Sequence, residues 1–230
     1  MANFELTRDV DVFVLRMKND ENRFNPDSIA AINAALDEVE GSTGPAALVT
    51  TGEGKFYSNG LDLDWLAQQD HADAMKFLAG VHGVFARLMA FPMATCAAMN
   101  GHSFAGGGML AMAHDWRVMR SDRGYFCLPE IDLGMPFTLG MRSLLKERLD
   151  LRAFRDIALT GGRFGADECL RLGVVDAAAP EDQVVAMAVE RLRPLASKNR
   201  DACRAIKRGI YAETLADLTG PDSTSTPSLG

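Results

Sequence analysis

The sequence predicts an α/β fold, on three observations. Short, continuously apolar runs alternate with longer stretches of helical periodicity, the pattern of strands covered on both faces by helices. From Leu139 to about Leu218 the pattern is helical almost throughout. No linker-like composition interrupts the chain before its last ten residues, and 230 residues with 47% apolar and 24% charged composition can bury one core without disulfides or metal. The expected organisation is one domain over residues 1–220, with a core over about 1–140 and a mainly helical part over about 141–220. Residues 221–230, rich in Ser, Thr, Pro and Gly, are expected to form a disordered tail.

The elements follow in order. Phe4 to Arg8 and Val12 to Met17 read as two strands across a tight polar turn. Asn25-Pro26-Asp27 opens a helix, because Asn caps free N–H groups and Pro suits the first turn. Ile29, Ile32, Ala35, Leu36 and Val39 keep helical spacing along it, and Gly41 ends it. Ala46 to Thr51 is a buried strand, and a second helix over about Ala72 to Ala90 stops before Pro92. Strands are then expected at Met93 to Met99, Trp116 to Arg120 and Tyr125 to Leu128.

Composition excludes several classes of function. With 24 Lys and Arg against 31 Asp and Glu, the net charge of −7 argues against a nucleic-acid partner, which needs a basic face. No apolar run approaches the ~20 residues of a membrane span, and the first five residues lack the basic start of a signal peptide. A soluble, cytoplasmic protein with no membrane partner is expected. Cys96, Cys127, Cys169 and Cys203 stand alone, without a C-x-x-C pair or a histidine at zinc spacing, so no metal is expected.

Two glycine-bearing loops each follow a strand and lead toward a helix: Gly52 to Leu63, and Asn100 to Met109. Three consecutive glycines at a helix start cost roughly 1 kcal/mol each against Ala. Gly106-Gly107-Gly108 therefore serves either a ligand that approaches the backbone closely or a helix–strand crossing that only glycine permits. Neither loop carries the ending of a P-loop or a good dinucleotide fingerprint. Gly101-His102-Ser103-Phe104-Ala105 comes near a G-x-S-x-G nucleophile elbow, but that fold needs a histidine well after the serine. Only His114 follows, near the end of the same helix, so serine hydrolase chemistry is excluded.

Taken together the loops resemble the crotonase (enoyl-CoA hydratase/isomerase) superfamily. Phe56 to Leu63 matches its first motif, Asn100-Gly101 with Ala105-Gly106-Gly107 the second, Pro129 to Gly134 the third and Leu172 to Asp176 the fourth. The resemblance runs from Phe4 to about Ile210 and is closest in pattern to Δ3-Δ2-enoyl-CoA isomerases of the mitochondrial and plant type. It implies a spiral of repeated β-β-α units with a C-terminal helical region that assembles homotrimers, often paired as hexamers. It implies an acyl-CoA thioester as substrate, with coenzyme A entering as part of it and no separate cofactor.

The resemblance also assigns roles. The backbone N–H groups of Leu61 and Gly106 would form an oxyanion hole for the enolate, with Gly106 bare against the thioester oxygen. Phe56, Ser58, Gly60, Leu61, Asp62, Leu63 and Gly107 would line the substrate, with Asp62 orienting the first loop. Lys207, and with it Arg208, would meet the CoA phosphates in the same or a neighbouring subunit, or else form a solvated face. Hydratases of this pattern hold water between two glutamates; here the first position is Met109 and only the second, Glu130, is present. A single carboxylate suits a shuttle that takes the C2 proton of a 3-enoyl-CoA and returns it at C4. Phe137-Thr138-Leu139, where another isomerase subgroup carries its acid, has none. Glu130 also follows Pro129 at what reads as a helix start, where any glutamate is favourable. The alternatives are another crotonase-type acyl-CoA enzyme (hydratase, decarboxylase or thioesterase) and a non-catalytic acyl-CoA-binding relative.

Overall fold

Apolar continuity leaves the segments near residues 48, 97 and 118 almost no solvated face. In the computed structural model, which describes residues 3–227, they become the centre of a six-stranded sheet. The elements run β1 (Phe4–Asp9), β2 (Val12–Met17), α1 (Pro26–Gly41), β3 (Ala47–Gly52), β4 (Phe56–Ser58), α2 (Leu63–Leu66), α3 (His71–Met89), β5 (Thr95–Met99) and β6 (His102–Phe104). Then come α4 (Gly106–Ala113), β7 (Trp116–Arg120), β8 (Phe126–Cys127), a 3-10 turn (Pro129–Ile131), α5 (Leu139–Arg148), α6 (Leu151–Thr160) and α7 (Ala166–Arg171). The chain continues through β9 (Ala177–Ala179), α8 (Val184–Leu192), a second 3-10 turn (Arg193–Leu195), α9 (Arg200–Ile210) and α10 (Ala212–Thr219).

The large sheet has the order β1-β2-β3-β5-β7-β9, and the small one β4-β6-β8. Among the described residues the β1–β2 hairpin is the one antiparallel strand pair and every other strand pair is parallel, while an isolated antiparallel bridge joins Phe126 to Phe164. Each turn of the spiral therefore lays one strand in the large sheet, one in the small sheet, and then crosses back through helix. This is the expected repeat of β-β-α units in an α/β fold. One face of the large sheet buries Val49, Cys96 and Val118 under Val184, Ala188 and Leu192 of α8. The other face buries Leu48, Ala97, Met99 and Met119 in the main core with α1, α3, α4 and α5.

Local chemistry sets the helix starts. Asn25 Oδ1 accepts from Ser28 N–H at 3.0 Å, and Ser28 Oγ accepts from Asn25 N–H at 2.9 Å, a reciprocal cap ahead of Pro26. Asp70, Thr138, Asp150 and Asn199 cap α3, α5, α6 and α9 by a simpler bond, each side chain accepting from a first-turn N–H. Three strands differ from the sequence expectation: β4 and β6 lie inside the glycine loops, and β9 lies inside the stretch read as helical. At three residues each they are too short to show a period of two. The tail also differs. Within the part of it that the structure describes, residues 221–224 form a turn and Ser223 is buried.

Candidate active site

Asn100 explains why an Asn-Gly pair recurs between the loops. Its Oδ1 accepts from Gly52 N–H at 2.8 Å, and its Nδ2 donates to the Gly54 carbonyl at 3.1 Å, tying the first loop to the second. Ser58 is fully buried; its Oγ donates to the Asn22 carbonyl at 2.7 Å and accepts from Gly60 N–H at 3.2 Å. Gly60 then turns the chain at φ +80°, where a side chain would be strained. Phe24 holds the next stretch like a strand: its N–H donates to the Gly60 carbonyl at 2.7 Å, and its carbonyl accepts from Asp62 N–H at 2.9 Å. That pairing turns the Leu61 N–H outward, and it has no partner among the described residues. Asp62 caps α2 through Trp65 N–H at 3.2 Å, which orients this loop.

The second donor arises from strain. Ala105, between β6 and α4, sits at φ +47° and ψ −122°, a region that costs roughly 1–3 kcal/mol for a residue with a Cβ. Its N–H is anchored on the Cys127 carbonyl at 2.9 Å. The kink starts α4 at Gly106, whose N–H, as a first-turn donor, has no helical partner. A Cβ on Gly60 would lie 2.8 Å from Gly106 N, so the two loops touch backbone to backbone here. Both Leu61 and Gly106 line one cleft of about 930 Å³.

The glycine run answers a different need from the one the resemblance suggests. Gly106 is not in the left-handed region, and its missing Cβ would face the Phe24 ring at 3.3 Å and Gly60 Cα at 3.4 Å, not the cleft. A Cβ on Gly107 would overlap the Ser58 carbonyl. Gly106 and Gly107 thus fit the close crossing of α4 over the first loop, whereas a Cβ on Gly108 would meet the Phe126 ring at 2.9 Å.

Opposite these donors the 3-10 turn brings Glu130 to the cleft wall, 8% exposed. Its Oε2 is buried and has no hydrogen-bond partner among the described residues. Burial pushes the carboxyl up to about 7, into the range where it exchanges protons near neutrality. A three-residue 3-10 turn offers little dipole, so helix capping does not account for this side chain. Leu63 also lines the cleft. Phe56 lies beneath it, packed on the His102 ring at 5.3 Å and the Phe104 ring at 6.2 Å.

Lys207 is not brought to this cleft. Its Nζ lies 2.6 Å from Asp115 Oδ2 and 2.8 Å from the Met93 carbonyl, in a separate hollow under α9. The pattern of a charged pair in a helix could not reveal that its partner stands 92 residues away. Arg208 is exposed and outside the cleft. Met109 is fully buried in the main core and does not line the cleft. Ser103 Oγ is buried without a partner, and His114 is bonded to Thr50 and the Leu110 carbonyl, so no serine–histidine pair exists there. Sequence reasoning missed the strain at Ala105, Thr138, and the segment that brings Pro221, Asp222, Thr224, Ser225 and Thr226 to the cleft wall. Of these, only Thr138 carried a readable signal, as a helix cap.

The chain resembles known proteins in family, sequence and fold. The family model for enoyl-CoA hydratase/isomerase matches residues 7–221. The chain is 36% identical over 221 residues to enoyl-CoA delta isomerase 3 of Arabidopsis thaliana, covering 91% of this chain and 93% of the relative. It is 34% identical to the peroxisomal enoyl-CoA delta isomerase 2 of the same plant, covering 95% and 97%. Among solved structures, the probable enoyl-CoA hydratase EchA3 of Mycobacterium tuberculosis superposes with a TM-score of 0.86 at 27% identity, over 96% of this chain and 93% of that one. Human mitochondrial delta3-delta2-enoyl-CoA isomerase shares the fold with a TM-score of 0.89 at 22% identity, over 96% and 88%.

Proposed function

The chain belongs to the enoyl-CoA hydratase/isomerase family, and on that premise we propose that it moves the double bond of a 3-enoyl-CoA to the 2-position. The thioester oxygen sits between the Leu61 and Gly106 N–H groups, which are preformed and need no reorganisation as negative charge builds on it. A donor placed in this way is worth ~3 kcal/mol of barrier. The positive end of α4 adds to the effect. Glu130 takes the C2 proton, the electrons shift into a dienolate, and the same carboxyl returns the proton at C4. The proton taken equals the proton returned, so neither cofactor nor water is consumed.

The observation that carries this reading is the Glu130 carboxyl on the cleft wall, with Oε2 buried without a partner among the described residues and its affinity for a proton raised by burial. Hydration calls for a second water-holding carboxylate, and at that position stands Met109, buried in the core. Exposed Leu151 and Leu159 on α6 support the accompanying proposal that copies of the chain assemble as trimers or hexamers. The test uses purified protein with 3-hexenoyl-CoA, followed by the absorbance of the conjugated enoyl thioester. Alongside it, hexanoyl-CoA is incubated in D2O and exchange at C2 is read by mass. We expect both signals. No conjugated product, with efficient formation of 3-hydroxyacyl-CoA from a 2-enoyl-CoA, would replace the isomerase reading with a hydratase.

A further inference from the structure

We propose that residues 221–226 form the end wall of the acyl half of the cleft and set the acyl length the enzyme accepts. The proposal rests on the acyl-CoA reading above and extends it to substrate choice. α10 packs along α3 and α5 and delivers the chain to Gly220, beside the start of α5. There it folds into a tight turn, with Ser223 N–H on the Gly220 carbonyl at 3.1 Å and Ser225 N–H on the Asp222 carbonyl at 2.9 Å. This strap is tied to α5 by two hydrogen bonds. Leu139 N–H donates to the Ser225 carbonyl at 2.8 Å, and Gly140 N–H donates to the Ser223 carbonyl at 3.0 Å.

Those two N–H groups belong to the first turn of α5, where no residue of the helix can accept them. Of the first-turn donors Thr138 Oγ1 takes Met141 N–H, at 3.3 Å, and its other partner is His82 Nε2 at 3.3 Å. The strap therefore completes the helix cap, which explains why a run of Ser, Thr and Pro is held in place and why Ser223 is 4% exposed.

The cleft that Glu130 lines has apolar walls from Met75 and Leu78 of α3 and Met141 of α5, and the strap adds Thr224, Ser225 and Thr226 to its lining. A hydrocarbon chain gains by lying along the first three side chains. It gains little against hydroxyls and backbone, and a longer chain has to displace the strap and strip the α5 cap of its acceptors. The strap is held to α5 by two backbone hydrogen bonds, so it is a movable wall.

A chain ending at Gly220 removes the wall, but it also uncaps α5. The cleaner variant is Leu139→Pro. Pro has no N–H to give Ser225, it suits the first helical position, and Thr138 at φ −66° and ψ 167° already has the extended backbone that a following proline requires. The readout is the ratio of kcat/KM for 3-dodecenoyl-CoA to that for 3-hexenoyl-CoA. We expect this ratio to rise at least tenfold in Leu139→Pro, and further in the chain ending at Gly220, with the hexenoyl value of Leu139→Pro within about threefold of wild type. An unchanged ratio in folded Leu139→Pro overturns the proposal. If wild type isomerises neither substrate, calorimetric binding of hexanoyl-CoA and dodecanoyl-CoA decides. A shift of the affinity ratio toward dodecanoyl-CoA in Leu139→Pro upholds the wall and discards the isomerase, and no shift discards the wall. A wild type that binds neither acyl-CoA overturns both readings.

Discussion

Glu130 and Lys207 are equally hidden, at 8% and 7% exposure, and the structure treats them in opposite ways. Lys207 has an acceptor on two sides, Asp115 and the Met93 carbonyl, and Asp115 Oδ2 also accepts from Thr95 N–H at 2.8 Å and Thr95 Oγ1 at 3.1 Å. That network staples α9 to the edge of β5. Glu130 has no partner for Oε2 and faces a cleft instead of a counter-ion. Burial by itself therefore does not mark a reagent. A buried charge with its partner built in is structure, whereas one left without a partner carries a shifted proton affinity that chemistry can use.

The sharpest way to break this contrast is to remove each charge. Glu130→Gln keeps the shape of the side chain and deletes the base, and a placed proton-transfer group is worth ~10²–10⁴-fold in rate. We expect isomerase kcat to fall by about that factor, with acyl-CoA affinity kept, as read by steady-state kinetics and calorimetry. Substantial activity in that variant would move the base elsewhere. Lys207→Met should behave in reverse. It strands Asp115, and breaking a buried pair costs about 3–5 kcal/mol. Denaturant unfolding should show that loss, while kcat per folded molecule stays near wild type. Lys18→Ala is the control, because its partner Glu5 is 47% exposed and water screens such a surface pair, so the denaturation midpoint should not move.

Acidity sharpens the comparison further. The Glu130 carboxyl is raised from 4.5 to about 7 by burial, so the folded protein holds a proton that the unfolded chain has released. Its contribution to stability is then complete below about pH 4.5 and is lost as pH rises through 7, about 3 kcal/mol in all. Wild type should lose stability over that window relative to Glu130→Gln in parallel urea titrations. Activity has the opposite sense, since the base works deprotonated: kcat/KM should rise with pH to a plateau, with its midpoint near 7. A flat profile would mean that another group limits the reaction.

Part of the candidate site was legible because its signals are local. Leu61, Ala105-Gly106 and Pro129-Glu130 each belong to a short contiguous motif, and all five residues line the cleft. The reason for the glycines was not legible. Gly107 meets Ser58, 49 positions earlier, and no turn rule anticipates a contact between two loops. Lys207 was misplaced for the same reason, since its partner comes from the far end of a different strand connection.

By itself the sequence determined the α/β class, every large-sheet strand except β9, the capped start of α1 and the position of the two glycine loops. Those depend on apolar period, capping residues and glycine placement, which act between neighbours in the chain. Only the tertiary structure decided that Ala105 bears strain, that Glu130 stands without a partner while Lys207 has one, and that a tail of tail-like composition becomes a wall. Each of these depends on which distant group occupies the adjoining space. Such proximity arises when the spiral closes and is not written in any one segment.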